Sequence, residues 1–111
     1  MAAETLAAAL TAGLTGDPAG CSTMAEVRAG VDVLDRAIVT LLARRFRFMD
    51  AAARIKPERG QVRDEPRKAA VVAHARSVAE REGAPADLIA VLYEQLVESS
   101  IGYELSRFDA R

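Results

Sequence analysis

At 111 residues the chain has room for one small domain, and half of its residues are hydrophobic, many of them Ala and none Trp. Fifteen basic against sixteen acidic side chains give a net charge of −1, which excludes the basic field of a nucleic-acid binder. Cys21 is the single cysteine and His74 the single histidine, which excludes an intrachain disulfide and a structural zinc site and suits a reducing, cytoplasmic location.

Residues 1–22 read as an N-terminal extension. Leu6, Leu10 and Leu14 are spaced for a short amphipathic helix, which Gly13, Gly16, Pro18 and Gly20 then break. Alternatively, Met24 is the natural start and this stretch is a loosely attached tail. A secretory signal is not expected, because Glu4 precedes the apolar run and no basic residue occurs before Arg28. Pro18-Ala19-Gly20-Cys21 lacks the Leu expected before a lipidated Cys. No apolar run approaches the ~20 residues of a membrane span.

Residues 23–111 read as the domain. Thr23 and Glu26 form a capping box ahead of an apolar run. From there Val27, Val31, Leu34, Ile38, Leu41, Arg45, Phe48, Ala52 and Ile55 follow a heptad spacing with one basic residue inserted. The spacing predicts a first helix ending before Pro57. At 1.5 Å per residue it would be ~48 Å long and needs a partner along its length. A chain this small, rich in short side chains, is therefore expected to bury apolar surface against a second copy.

Pro57, Gly60 and the charged run to Glu65 predict a loop. Asp64 suits an N-cap and Pro66 a first turn, so a second helix is expected over about 65–82, with Ala70, Val71, Ala75 and Val78 on its apolar side. Gly83 stops it. Pro85 and Asp87 open a third helix to about Phe108, with Leu88, Leu92, Leu96 and Ser99 or Ser100 as its inner stripe. No alternating strand pattern and no internal repeat is present. The fold class is all-α: three helices, the first very long.

Arg28, Arg45 and Lys56 stand in or beside the apolar heptad, where basic residues are out of place. Arg45 and Lys56 are eleven positions apart, within about 20° of whole turns, and so share a face with Cα atoms ~16 Å apart. Their side chains leave room for a ligand the size of a substituted ring. Arg28 lies ~25 Å before Arg45 and ~100° around the helix, so it cannot reach that ligand from the same chain. In an antiparallel pair of such helices the Arg28 end of one copy meets the Lys56 end of the other. That geometry predicts a homodimer with shared sites. Arg67 adds a fourth cation, and Ser100 and Glu104 stand one turn apart on the third helix. Guanidinium forks match carboxylates bidentately, so the guest expected is a small dicarboxylate.

Each of these residues also has a plainer reading. A single Arg on a helix usually snorkels at the surface, and a heptad helix usually marks a coiled-coil interface. Glu104 could be solvated, Ser100 a packing residue, His74 a surface residue and Cys21 inert. A non-catalytic helical dimerisation module would explain the heptads but not a cation at a buried heptad position with another three turns on. Only the joint spacing favours a site.

That spacing resembles the all-helical chorismate mutase family. The residues that carry the resemblance are Glu26-Val27-Arg28, Val31-Asp32-x-Leu34-Asp35, Leu41-Leu42-Ala43-Arg44-Arg45 and Ile55-Lys56. Val62-Arg63-Asp64 with Arg67, and Leu92-Tyr93 leading to Ser100 and Glu104, complete it over about residues 24–108. The resemblance implies an intertwined dimer of three-helix chains with two shared active sites. Arg45, and Arg28 from the partner chain, would hold substrate carboxylates. Lys56 would contact a carboxylate and the ether oxygen. Asp64 and Arg67 would line the ring side, and Ser100 would lie near the ring hydroxyl or carboxylate. Glu104 falls where many members have Gln and some Glu.

The implied reaction is the pericyclic rearrangement of chorismate to prephenate, in phenylalanine and tyrosine biosynthesis, with no metal or cofactor. It needs positioning of the folded conformer and stabilisation of charge on the breaking ether oxygen. Lys56 can donate there directly; Glu104 can donate only when protonated. Lys68 occupies the position where typical mutases carry Glu. The Lys56–Arg67 loop has the spacing of the isochorismate-pyruvate lyase branch, which yields salicylate, and amino-deoxychorismate mutases form a third branch. Ser100 and the Arg63-Asp64 pair look mutase-like, and chorismate mutase is the favoured expectation.

Overall fold

The computed structural model describes Thr11 and residues 13–111, which are all-helical. The helices are α1 (Met24–Ile55), α2 (Glu65–Glu82) and α3 (Ala86–Asp109), with 3-10 turns at Pro18–Gly20 and Arg59–Gln61. No strand occurs among the described residues, and no described helix is long and apolar enough to cross a membrane. The helix expected from Leu6 and Leu10 falls outside the described residues. The chain divides into two compact units, residues 1–45 and 46–111, and α1 runs through both.

In the first unit the start of α1 is fixed locally. The Glu26 backbone N–H donates to Thr23 Oγ1 at 3.2 Å, as a capping residue requires. The Glu26 carboxylate accepts from the Thr23 hydroxyl (3.0 Å), the Ser22 hydroxyl (3.1 Å) and the Ser22 N–H (3.3 Å). The return arm of the capping box thus reaches one residue further back than expected. These bonds, the Thr23 hydroxyl first, hold the Glu26 carboxyl below its ordinary range. The heptad stripe faces outward: Val31 is 49% exposed, Ile38 52%, Leu41 67% and, beyond the unit boundary, Phe48 62%.

The second unit contains the core. α1 ends where Pro57 removes the next donor. Asp64 caps α2, its Oδ1 accepting from the Arg67 N–H at 3.0 Å, with Pro66 in the first turn. Gly83 closes α2 at φ +73°, a conformation that favours glycine, and the Ala84 N–H returns to Ala79 O at 2.9 Å. The α2–α3 pair buries Ala75, Ala79 and Ala90, while Val62, Val97 and Ile101 form a cluster against Val71, Val72, Leu105 and Phe108. Among the described residues no large side chain is completely buried.

The inner stripe expected on α3 is corrected. Leu88 and Leu92 are exposed, as is Ser99; the buried face runs through Ala90, Val97, Ser100, Ile101 and Glu104. α3 carries apolar residues around most of its circumference, so periodicity alone does not select the face that meets α2. Ala70 on α2 is likewise exposed.

Candidate functional site

Lys56 is the last residue before the chain leaves the helix. Its backbone N–H still bonds Ala52 O at 2.9 Å, and Pro57 follows. Its ammonium reaches Glu104 Oε2 at 2.7 Å, across 48 positions of sequence. The Glu104 residue is 4% exposed and the Lys56 side chain 31%, so this ion pair joins a buried carboxylate to a half-covered cation. A carboxylate so enclosed requires a partner. An ammonium has three donors, and one directed at Glu104 leaves two for a ligand.

Ser100 lies one turn before Glu104 and is 3% exposed; its hydroxyl donates to Leu96 O at 2.7 Å. Lys56 and Asp64 both line an open cleft of about 570 Å³, with Ile55, Gln61 and Arg63. Asp64 spends one carboxylate oxygen on the α2 cap, so it holds the backbone that carries Arg67. Arg67 is exposed beside the cap. In the first unit, Arg28 is exposed on α1 and Arg45 is half-buried. The expected constellation is therefore distributed: the second unit brings Lys56, Glu104, Ser100, Asp64 and Arg67 into one body, and Arg28 and Arg45 belong to the other.

Lys68 pairs with other carboxylates. Its ammonium contacts Glu98 at 2.8 Å and Glu94 at 3.2 Å on α3. Arg63 clasps the same Glu98 through both terminal nitrogens, at 2.9 and 3.0 Å, and also reaches Glu65 at 2.8 Å. Hydrogen bonds from Arg63 and then Lys68 push the Glu98 carboxyl down to about 2, and Lys68 is in turn pushed up by Glu98 and Glu94. This network ties the loop and the start of α2 to α3.

Sequence reasoning also missed a second network. The Tyr103 hydroxyl donates to Asp50 Oδ1 at 2.7 Å, Arg107 Nε lies 3.2 Å from the same oxygen, and Phe46 meets the Tyr103 ring edge-on. The Asp50 bond, with burial, raises the Tyr103 hydroxyl above its usual value. Arg59 pairs with Asp109 at 2.8 Å, and Arg76 pairs with Asp87. The only available signal was chemical: an Asp at a half-buried position of α1 needs a donor. Spacing gives no clue to partners 50 residues away. Among the described residues no three His, Cys, Asp or Glu side chains gather as metal ligands.

Two further depressions lie along the α2–α3 pair: one of about 380 Å³, where Arg76 stands beside Glu80 and Glu94, and one of about 350 Å³, lined mainly by Val71, Ala75, Val78, Ile89 and Tyr93. The second carries no lysine or arginine, and the single arginine of the first is offset by two carboxylates, so neither suits a dicarboxylate.

The family model for chorismate mutase type II matches residues 27–105. A curated relative, the isochorismate pyruvate lyase of Pseudomonas aeruginosa, is 28% identical over 88 residues, which cover 79% of this chain and 87% of the relative. No solved structure matches the chain.

Proposed function

We propose that this chain, which belongs to the chorismate mutase type II family, is a cytoplasmic chorismate mutase acting as a homodimer with shared sites. The observation that carries the proposal is the Lys56–Glu104 pair, a cation anchored at 2.7 Å by a buried carboxylate at the edge of a cleft. In a concerted rearrangement the ether C–O bond breaks as a C–C bond forms, and negative charge grows on the ether oxygen. A fixed ammonium aimed at that oxygen stabilises the charge without reorganising. Glu104 orients Lys56 through this ion pair.

Arg45, together with Arg28 from a second copy, would clamp the two substrate carboxylates and hold the folded conformer. The outward heptad stripe and the exposure of Arg28 support this sharing, since both await a partner. Residues 23–111 form the catalytic domain in this proposal, and residues 1–22 lie outside it.

A second reading is an isochorismate-pyruvate lyase. It is favoured by the 28% identical relative, and by Lys68, which offers an ion-paired ammonium where typical mutases offer a carboxylate. Incubating the purified chain separately with chorismate and isochorismate, and identifying the products, decides between them. Prephenate from chorismate is expected. Salicylate and pyruvate from isochorismate, without prephenate, transfer the assignment to the lyase, and no product from either sinks both. Arg45→Ala should abolish nearly all turnover, whereas a pure dimerisation module would show none to lose.

A further inference from the structure

Pro57 creates a defect at the end of α1. In a helix the N–H of residue 57 would bond the carbonyl of residue 53, but proline has no N–H. Ala53 is 3% exposed, so water cannot readily replace the missing donor. Arg111 supplies it. Its Nη1 donates to Ala53 O at 3.0 Å and to Lys56 O at 2.6 Å, and its Nη2 donates to Pro57 O at 3.2 Å. The guanidinium carbon lies 3.7 Å from the centroid of the Phe108 ring, which fixes the plane of the fork. A positive charge also suits the negative end of a helix of 32 residues.

We propose that Arg111 is the positioning residue for Lys56. Lys56 is held at three points: its N–H by Ala52, its carbonyl by Arg111, and its ammonium by Glu104. The first two set where the side chain starts, and so where the ammonium sits. Neighbouring carbonyls on both sides share the same guanidinium, so one residue fixes the whole exit from the helix. Arg59, by contrast, ties the loop to α3 through Asp109 without touching the Lys56 backbone. The catalytic meaning of the clamp rests on the role proposed above for Lys56; the clamp itself does not.

The test uses the full chain and the variants Arg111→Ala, Arg111→Lys and Arg59→Ala. Acetylation by a limiting amount of acetic anhydride is followed by mass spectrometry at Lys56, with Lys68, the only other lysine, as internal reference. Loss of the clamp should raise the Lys56:Lys68 labelling ratio about fivefold or more in Arg111→Ala. Arg111→Lys should lie between, Arg59→Ala should match the wild-type chain, and millimolar guanidinium should bring Arg111→Ala back towards it. With turnover as the second readout, kcat of Arg111→Ala should fall about tenfold to a hundredfold, by more than KM rises. An unchanged labelling ratio in folded Arg111→Ala overturns the inference; if that variant does not fold, an unchanged ratio in Arg111→Lys does. If the wild-type chain turns over neither chorismate nor isochorismate, the functional proposal falls, and the labelling ratio still decides the clamp.

Discussion

Lys56→Met tests the ion pair at the centre of the site while keeping most of the side-chain bulk. It leaves Glu104, 4% exposed, without its counter-ion. Breaking a buried pair from one side costs about 3–5 kcal/mol, because an uncompensated charge remains inside. The Lys56 side chain is 31% exposed, so solvent already screens part of the attraction. Discounting about a third leaves about 2–3 kcal/mol. At about 4 °C per kcal/mol for a chain of this length, the thermal midpoint should drop about 8–12 °C near pH 7. The assay is a circular-dichroism melt at fixed protein concentration, since any self-association adds to the midpoint. Adding Glu104→Gln to Lys56→Met removes the stranded charge and should recover at least half of the loss. Neither variant should regain turnover if Lys56 donates to the ether oxygen. A Lys56→Met midpoint within about 2 °C of wild type, or a double variant no more stable than Lys56→Met, would refute the reasoning.

Leu41, 67% exposed, offers the proposed dimer about 1–2 kcal/mol per copy when the rest of its side chain is covered, and a two-fold interface uses it twice. Leu41→Asp should therefore raise the dimer dissociation constant at least about 30-fold in sedimentation equilibrium, and equal constants would rule this face out. Glu98, with its carboxyl held at about 2 against an ordinary 4.5, supplies stability that is complete above pH 4.5 and is lost as pH falls towards 2. Urea midpoints of wild type and Glu98→Gln should therefore differ most near neutrality and converge in acid; a constant gap would contradict the Arg63–Glu98–Lys68 network.

The ends of the helices were legible in the sequence because they are set by local chemistry. Thr23 with Glu26, Asp64 with Pro66, and Gly83 each act within a few residues of themselves, and their bonds appear in the structure at the expected boundaries. The Lys56–Glu104 contact was not legible from spacing, because a bond across 48 positions depends on how α3 packs. The resemblance placed both residues at one site and did not pair them. Arg111 had no signal at all, although Pro57 did: a proline placed after the last turn of a helix leaves one carbonyl orphaned, and its burial demands a donor from elsewhere.

The misread face of α3 has a related cause. Apolar periodicity marks which side chains favour burial and does not record what covers them. Leu88 and Leu92 obey the same spacing rule as Val31, Ile38 and Leu41, and all five are exposed in the single chain. α1 is too long for its own chain to cover, so its length points its stripe towards a partner. For α3 a neighbour of ordinary length is at hand, and the same kind of pattern reads as inward-facing. Small residues settle the difference: Ala75, Ala79 and Ala90 bury at the α2–α3 contact, where large leucines would hold the helices apart. Under the proposed dimer, the exposed leucines of α3 and the stripe of α1 are then two parts of one requirement for a second copy.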